Sequence, residues 1–145
     1  MKVFEDYFSE LQGDMVSICL EYVNGKAEEI YIYCSYEPET YYFNVFYKVN
    51  GSIVHKHMLN EFSAGYVYDT SIERQKTLMK IGREDLEQIH DKFKEFNREM
   101  PTEMKLSYNV EKNSLNGKYS YDIQYSNSED LMPSDIFGKW IKEVA

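Results

Sequence analysis

The chain has 145 residues, 43% of them hydrophobic, which is enough for one domain (residues 1–145) with a substantial core. Its 16% aromatic content, led by 14 tyrosines, excludes a disordered chain. Its formal net charge of −9 argues against nucleic acid as a direct ligand, because phosphate binding needs clustered Lys and Arg.

The acidic excess is uneven. Residues 1–29 hold Glu5, Asp6, Glu10, Asp14, Glu21, Glu28 and Glu29 against only Lys2 and Lys26, whereas residues 71–112 balance. Such a surface suits a basic partner and raises the rate and selectivity of encounter. The opening Met-Lys-Val-Phe-Glu-Asp turns acidic at once, without the apolar run of a leader, and no stretch is long enough for a membrane span. The expected location is the cytoplasm. Cys19 and Cys34 accordingly read as reduced, buried small hydrophobes, and the sequon Asn50-Gly51-Ser52 reads simply as a turn.

In chain order, residues 3–23 place Val3, Phe4, Tyr7, Phe8, Leu11, Met15, Ile18, Cys19 and Tyr22 at intervals of three and four, the stripe of an amphipathic helix. Asn24-Gly25 suits its C-terminus, where left-handed geometry is needed. Residues 28–36 then switch to period two. Ile30, Ile32, Cys34 and Tyr36 face one way, and Tyr31, Tyr33 and Ser35 the other. Glu37-Pro38-Glu39 turns the chain into a second strand over 40–49, with Tyr41, Phe43, Val45, Tyr47 and Val49 on one face. Asn50-Gly51 closes a hairpin with a third strand over 52–59.

Residues 60–70 read as loop, and 71–81 hold only a helical turn or two. From Arg83 the period sharpens through Leu86, Ile89, Phe93, Phe96 and Met100, predicting a helix that Pro101 stops. A strand near 104–111 and another over 118–125 flank Asn116-Gly117, the strongest local hairpin signal of the region. Tyr119, Tyr121, Ile123 and Tyr125 form an apolar stripe that reads as core. Pro133-Ser134-Asp135 opens a last helix, with Trp140 as its anchor.

The order α-β-β-β-α-β-β-α, rich in hairpins and lacking βαβ units, predicts an α+β fold: an antiparallel sheet with packed helices. One sheet face, carrying Tyr31, Tyr33, Tyr42 and Phe46, is a candidate contact surface unless the C-terminal helix covers it. If exposed, it could equally join two copies into a homodimer.

Nothing in the sequence reads as a catalytic centre. His55 and His57 are two apart on a predicted strand, a metal-pair spacing without a third ligand in sequence. The chain has no nucleophile elbow and no glycine-rich phosphate loop. Paired carboxylates such as Glu28-Glu29 read as solvated surface acids. The expectation is a binding protein rather than an enzyme, with no cofactor and no metal.

The strand Ile30-Tyr31-Ile32-Tyr33 entering a Tyr-rich hairpin, the series Leu86…Phe93…Phe96, the segment Asn116-Gly117-Lys118-Tyr119 and the tail Tyr125…Leu131…Ile136…Trp140 resemble the YezG-like immunity (antitoxin) family of Gram-positive bacteria. The likeness is strongest over 84–140 and rests on apolar and turn residues. The family pattern places a Trp ahead of the first strand and another opening the late hairpin, where this chain has Asn24-Gly25-Lys26-Ala27 and Met100-Pro101-Thr102-Glu103.

The resemblance implies a cytoplasmic immunity protein that binds and blocks a cognate secreted toxin, with a nuclease the leading class. Such a toxin would present a basic domain. The contact candidates are Glu37, Glu39, Tyr41, Asp122, Glu129 and Asp130. The alternative is an adaptor or chaperone that holds a segment of a secreted protein on the sheet face.

Overall fold

The computed structural model describes residues 2–145. Three helices pack on a five-stranded, wholly antiparallel sheet: α1 (Phe4–Tyr22), β1 (Glu29–Tyr36), β2 (Tyr41–Val49), β3 (Ser52–His55), α2 (Ile72–Glu95), β4 (Glu103–Asn109), β5 (Ser114–Ser120) and α3 (Pro133–Val144). The strand order is β3-β2-β1-β4-β5. This is the α+β architecture and the element order that the hydrophobic periods imply.

The period of two in β1 sorts its side chains onto two different cores. Ile30, Ile32 and Cys34 meet the α1 and α2 side, together with Phe43, Val45, Tyr47 and Val49 of β2. Tyr31 and Tyr33 meet α3 with Phe46. Strand β1 is central and buried on both faces. The face that could have been a contact surface is therefore closed. Trp140 lies edge-on to Phe46 at 5.0 Å and to Tyr31 at 5.9 Å, and Phe137 and Ile141 complete the seal. Aromatic edge-to-face pairs of this kind add to the area they bury.

Helix α1 ends in a Schellman motif. Asn24 is left-handed (φ 53°), the Gly25 N–H donates to the Leu20 carbonyl, and the Asn24 N–H donates to Glu21.

Helix α2 is longer at its start and shorter at its end than the sequence period implies. It runs unbroken from Ile72, where the Ser71 hydroxyl accepts from the Arg74 N–H. Its buried stripe is Leu78, Gly82, Asp85, Leu86, Ile89, His90 and Phe93. Gly82 holds a place where periodicity looks for an apolar residue, so the sharp period begins only past it, and Asp85 is an acid on the same buried stripe. A Cβ at Gly82 would collide with the Phe43 ring, so helix and strand touch there. The helix stops at Glu95 rather than Met100. Asn97 is left-handed (φ 55°), and the Arg98 N–H donates to the Phe93 carbonyl, a second Schellman motif one turn before Pro101.

Two hairpin readings part company. Asn50 (φ 50°) and Gly51 (φ 78°) form the two-residue turn between β2 and β3, although β3 ends at His55, not residue 59. Asn116-Gly117 forms no turn. It lies inside β5, with Asn116 opposite Ser107 and Gly117 opposite Leu106. The chain reverses over residues 110–113, with Asn113 left-handed (φ 49°). Strand β4 is held by β1, with Cys34 opposite Met104 and Glu29 opposite Asn109, so it can run no further than β1 does. The predicted stripe over 119–125 breaks as well. Strand β5 ends at Ser120, and Tyr121 and Ile123 are exposed, while Tyr125 is buried.

Candidate functional site

Residues 121–132 join β5 to α3 as an irregular surface segment, and one buried carboxylate fixes its path. Glu37 follows β1 and is only 5% exposed. Its Oε1 accepts from the backbone N–H groups of Gln124 (2.9 Å), Tyr125 (2.7 Å) and Ser126 (2.8 Å). The Tyr125 hydroxyl returns a bond to the Glu37 carbonyl at 2.6 Å and lies 3.0 Å from the Ser35 hydroxyl. Burial alone would push the Glu37 carboxyl up. The three backbone donors outweigh it and hold the carboxyl below its ordinary value, so the anchor is ionised.

The pinned segment displays apolar side chains among acids. Tyr121 is 51%, Ile123 58%, Leu131 40% and Met132 61% exposed. Asp122, Glu129 and Asp130 lie among them and are exposed. No Lys or Arg occurs between Lys118 and Lys139. Among the described residues, none of these three carboxylates enters an ion pair or accepts a side-chain bond. The Asp122 backbone carbonyl accepts from the Thr102 hydroxyl, and the Asp130 N–H donates to the Ser128 hydroxyl at 3.2 Å.

The six contact candidates thus separate. Asp122, Glu129 and Asp130 share the segment that Glu37 pins. Glu39 is exposed in the neighbouring β1–β2 turn, two residues beyond Glu37, at φ 62°. Glu37 itself faces inward and has no free oxygen to offer a partner. Tyr41 is half-buried, and its hydroxyl is engaged with His90 Nδ1 at 2.7 Å. Burial, with Lys94 nearby, holds His90 below its ordinary value, so the ring is neutral. Glu37 and Tyr41 are thus structural residues of this corner.

Sequence reasoning missed Leu131 and Met132 as surface anchors and assigned Tyr121 and Ile123 to the core. A faint signal was present: a long stretch without a cation, carrying apolar residues that match neither a helical nor a strand period.

Elsewhere, the His55 and His57 rings lie 5.3 Å apart. Burial first, then His57 and Lys56, lower the His55 pKa. Among the described residues, no group of three or more His, Cys, Asp or Glu is placed to hold a metal ion. Also among these, no helix is long and apolar enough to cross a membrane. Compared with known proteins, the chain matches no family model and no curated protein.

Proposed function

We propose that this chain is a cytoplasmic immunity protein (antitoxin), similar to the YezG-like family, that binds a cognate secreted toxin and blocks it stoichiometrically. One observation beyond the resemblance carries the reading. Tyr121, Ile123, Leu131 and Met132 stand exposed among unpaired carboxylates on a segment held in place by a buried anchor. Tight inhibitory interfaces use this combination: a few apolar or aromatic anchors, a charged surround, and little ordering cost on binding. The acids call for a basic partner surface. A nuclease supplies one, because its cleft must hold phosphates, and Asp122, Glu129 and Asp130 can occupy those positions. The adaptor alternative depended on an open sheet face, and α3 covers that face.

The test has two stages. Tagged protein is used to recover partners from its host, and the basic domain of any stoichiometric partner is expressed alone and with this chain. The expected result is toxicity alone and growth on co-expression. Asp122→Lys combined with Asp130→Lys is then expected to weaken binding about tenfold or more. Both sites are exposed, so the melting temperature should hold. Protection that survives this double reversal and Ile123→Ala would remove the segment as the toxin-binding surface. A partner that binds through a non-toxic segment would remove the immunity reading itself.

A further inference from the structure

The two edges of the sheet are unlike. Strand β3 has four residues, whereas β5 has seven and carries exposed Leu115 (40%) and Tyr119 (42%). A long, uncovered edge presents unpaired backbone groups to any strand of matching register.

The phase of those groups follows from the pairing. The Tyr36 N–H donates to the Thr102 carbonyl and the Val110 N–H to the Glu28 carbonyl, so the even-numbered residues flanking β4 bond to β1, while the Thr102 N–H itself turns to the Ser120 carbonyl of β5 at 2.8 Å. Alternation then directs Glu103, Lys105, Ser107 and Asn109 at β5, opposite Ser120, Lys118, Asn116 and Ser114. The N–H and C=O groups of Leu115, Gly117 and Tyr119 are left pointing away from the sheet. The same three residues share one side-chain face. Tyr119 leans on α1, where its hydroxyl accepts from Gln12 Nε2 at 2.7 Å.

We infer that β5 is a self-association edge, on which a second copy of this chain adds its own β5 antiparallel about a two-fold axis at Gly117. Three registers keep the free backbone groups in phase near the middle of the strand. Centring on Lys118 sets the two lysines opposite each other. Centring on Asn116 pairs Leu115 with Gly117 and leaves Tyr119 beyond the strand. Centring on Gly117 overlaps all of residues 114–120. It pairs Leu115 with Tyr119 on both sides of the axis and sets Lys118 against the second copy's Asn116. Cross-strand pairs of an aliphatic and an aromatic residue are favourable, and directly opposed like charges are not. Gly117 brings no side chain of its own to the axis, and the Tyr119 ring of the same strand lies over it. The result is a sheet continuous through both copies, an isologous contact that closes at two. This inference stands apart from the toxin reading.

The experiment is sedimentation equilibrium of the full chain from about 1 to 100 µM at moderate salt, the range that resolves micromolar dimers. A monomer–dimer equilibrium is expected. Asn116→Glu sets two Glu–Lys pairs across the axis and should tighten it. Asn116→Lys sets two Lys–Lys pairs and should loosen it. Each shift is on the order of two- to thirtyfold in Kd, since each substitution acts twice. Leu115→Pro removes an outward N–H that the monomer does not use and should give a monomer. Circular dichroism of each variant checks that the fold is kept. A wild-type chain that stays monomeric at about 100 µM overturns the proposal. So does a dimer whose affinity moves the same way in both Asn116 variants.

Discussion

Of the three carboxylates buried among the described residues, Glu37, Asp85 and Glu103, the first two are treated in opposite ways. Glu37, at the end of β1, faces three backbone N–H groups and is held below its ordinary pKa. Asp85, on the buried stripe of α2, has an Oδ2 with no partner. Burial first, then Asp14 and Glu84, raise its pKa from 3.8 to about 6. Burial penalises the charged form in both cases. The difference lies in what the fold aims at each group: backbone donors at one, carboxylates at the other. One acid is an anchor that works only when ionised. The other is a burden once ionised, and its position marks where the molecule gives up stability.

The anchor should show the larger effect. Glu37→Ala removes the acceptor of three N–H groups that stay partly buried. Its cost is expected to be about 2 to 4 kcal/mol in chemical denaturation. Amide exchange at Gln124, Tyr125 and Ser126 should rise well beyond that of β1 and β2, which reports local release. On the proposed immunity reading, protection should fall along with it, although the Glu37 carboxylate is buried. Glu37→Gln keeps one acceptor and is expected to cost less. The sign with pH follows from the lowered pKa. The contribution is complete above about 4.5 and is lost as pH falls through the folded-state value. The difference between wild type and Glu37→Ala should therefore shrink only in acid. A flat difference down to pH 3 would mean that Glu37 acts through its carbon chain alone.

Neither role could be read from sequence, and the reason is physical. Glu37 lies in a Glu-Pro-Glu turn that reads as solvated, and its donors lie near residue 125, far along the chain. Asp85 sits beside Leu86 on the buried stripe, where an acid reads as a solvated position, and Gly82 leaves no apolar mark one turn earlier, so residues 71–81 read as only a helical turn or two. The two Asn-Gly pairs make the same point within one class of signal. Asn50-Gly51 turns because it falls where β1 lets β2 end, just past Glu29 opposite Lys48, so the local signal and the pairing agree. Asn116-Gly117 stays extended because β1 fixes where β4 ends, and the turn falls to Asn113. Local patterns gave the elements, their order and the two-faced strand β1. Whatever depended on a long-range partner was hidden, including the pinned segment that bears Asp122, Glu129 and Asp130.

The second carboxylate predicts a smaller effect of opposite sign. Asp85→Asn removes a charge that the folded state holds poorly, so it should stabilise the protein at neutral pH. The shift from 3.8 to about 6 corresponds to at most about 3 kcal/mol. Its charged neighbours Asp14 and Glu84 are exposed and screened by solvent, so a gain of roughly 1 to 2 kcal/mol is expected. Because the folded-state pKa is raised, the penalty in the wild type is absent below about 4, grows between about 4 and 6, and is constant above. The gain from Asp85→Asn should follow that same course. A gain that persists at pH 3.5 would point to hydrogen bonding by the new amide rather than to relief of charge.

The smallest effect separates the causes within Asp85 itself. Asp14 is exposed on α1 and raises the Asp85 pKa through charge alone, after burial in order of size. Asp14→Asn should lower the Asp85 pKa and leave its burial untouched, stabilising the protein at neutral pH by a few tenths of a kcal/mol. Added salt should mimic the substitution in the wild type and do little to the variant, since screening acts on the exposed partner. Burial would keep most of the shift in either case. If Asp14→Asn instead returned the Asp85 titration to 3.8, repulsion and not burial would govern this carboxyl. The seam between α1 and α2 would then be wetter than its apolar neighbours suggest, and the contrast with Glu37 would be one of neighbouring carboxylates against backbone donors, with burial a minor part.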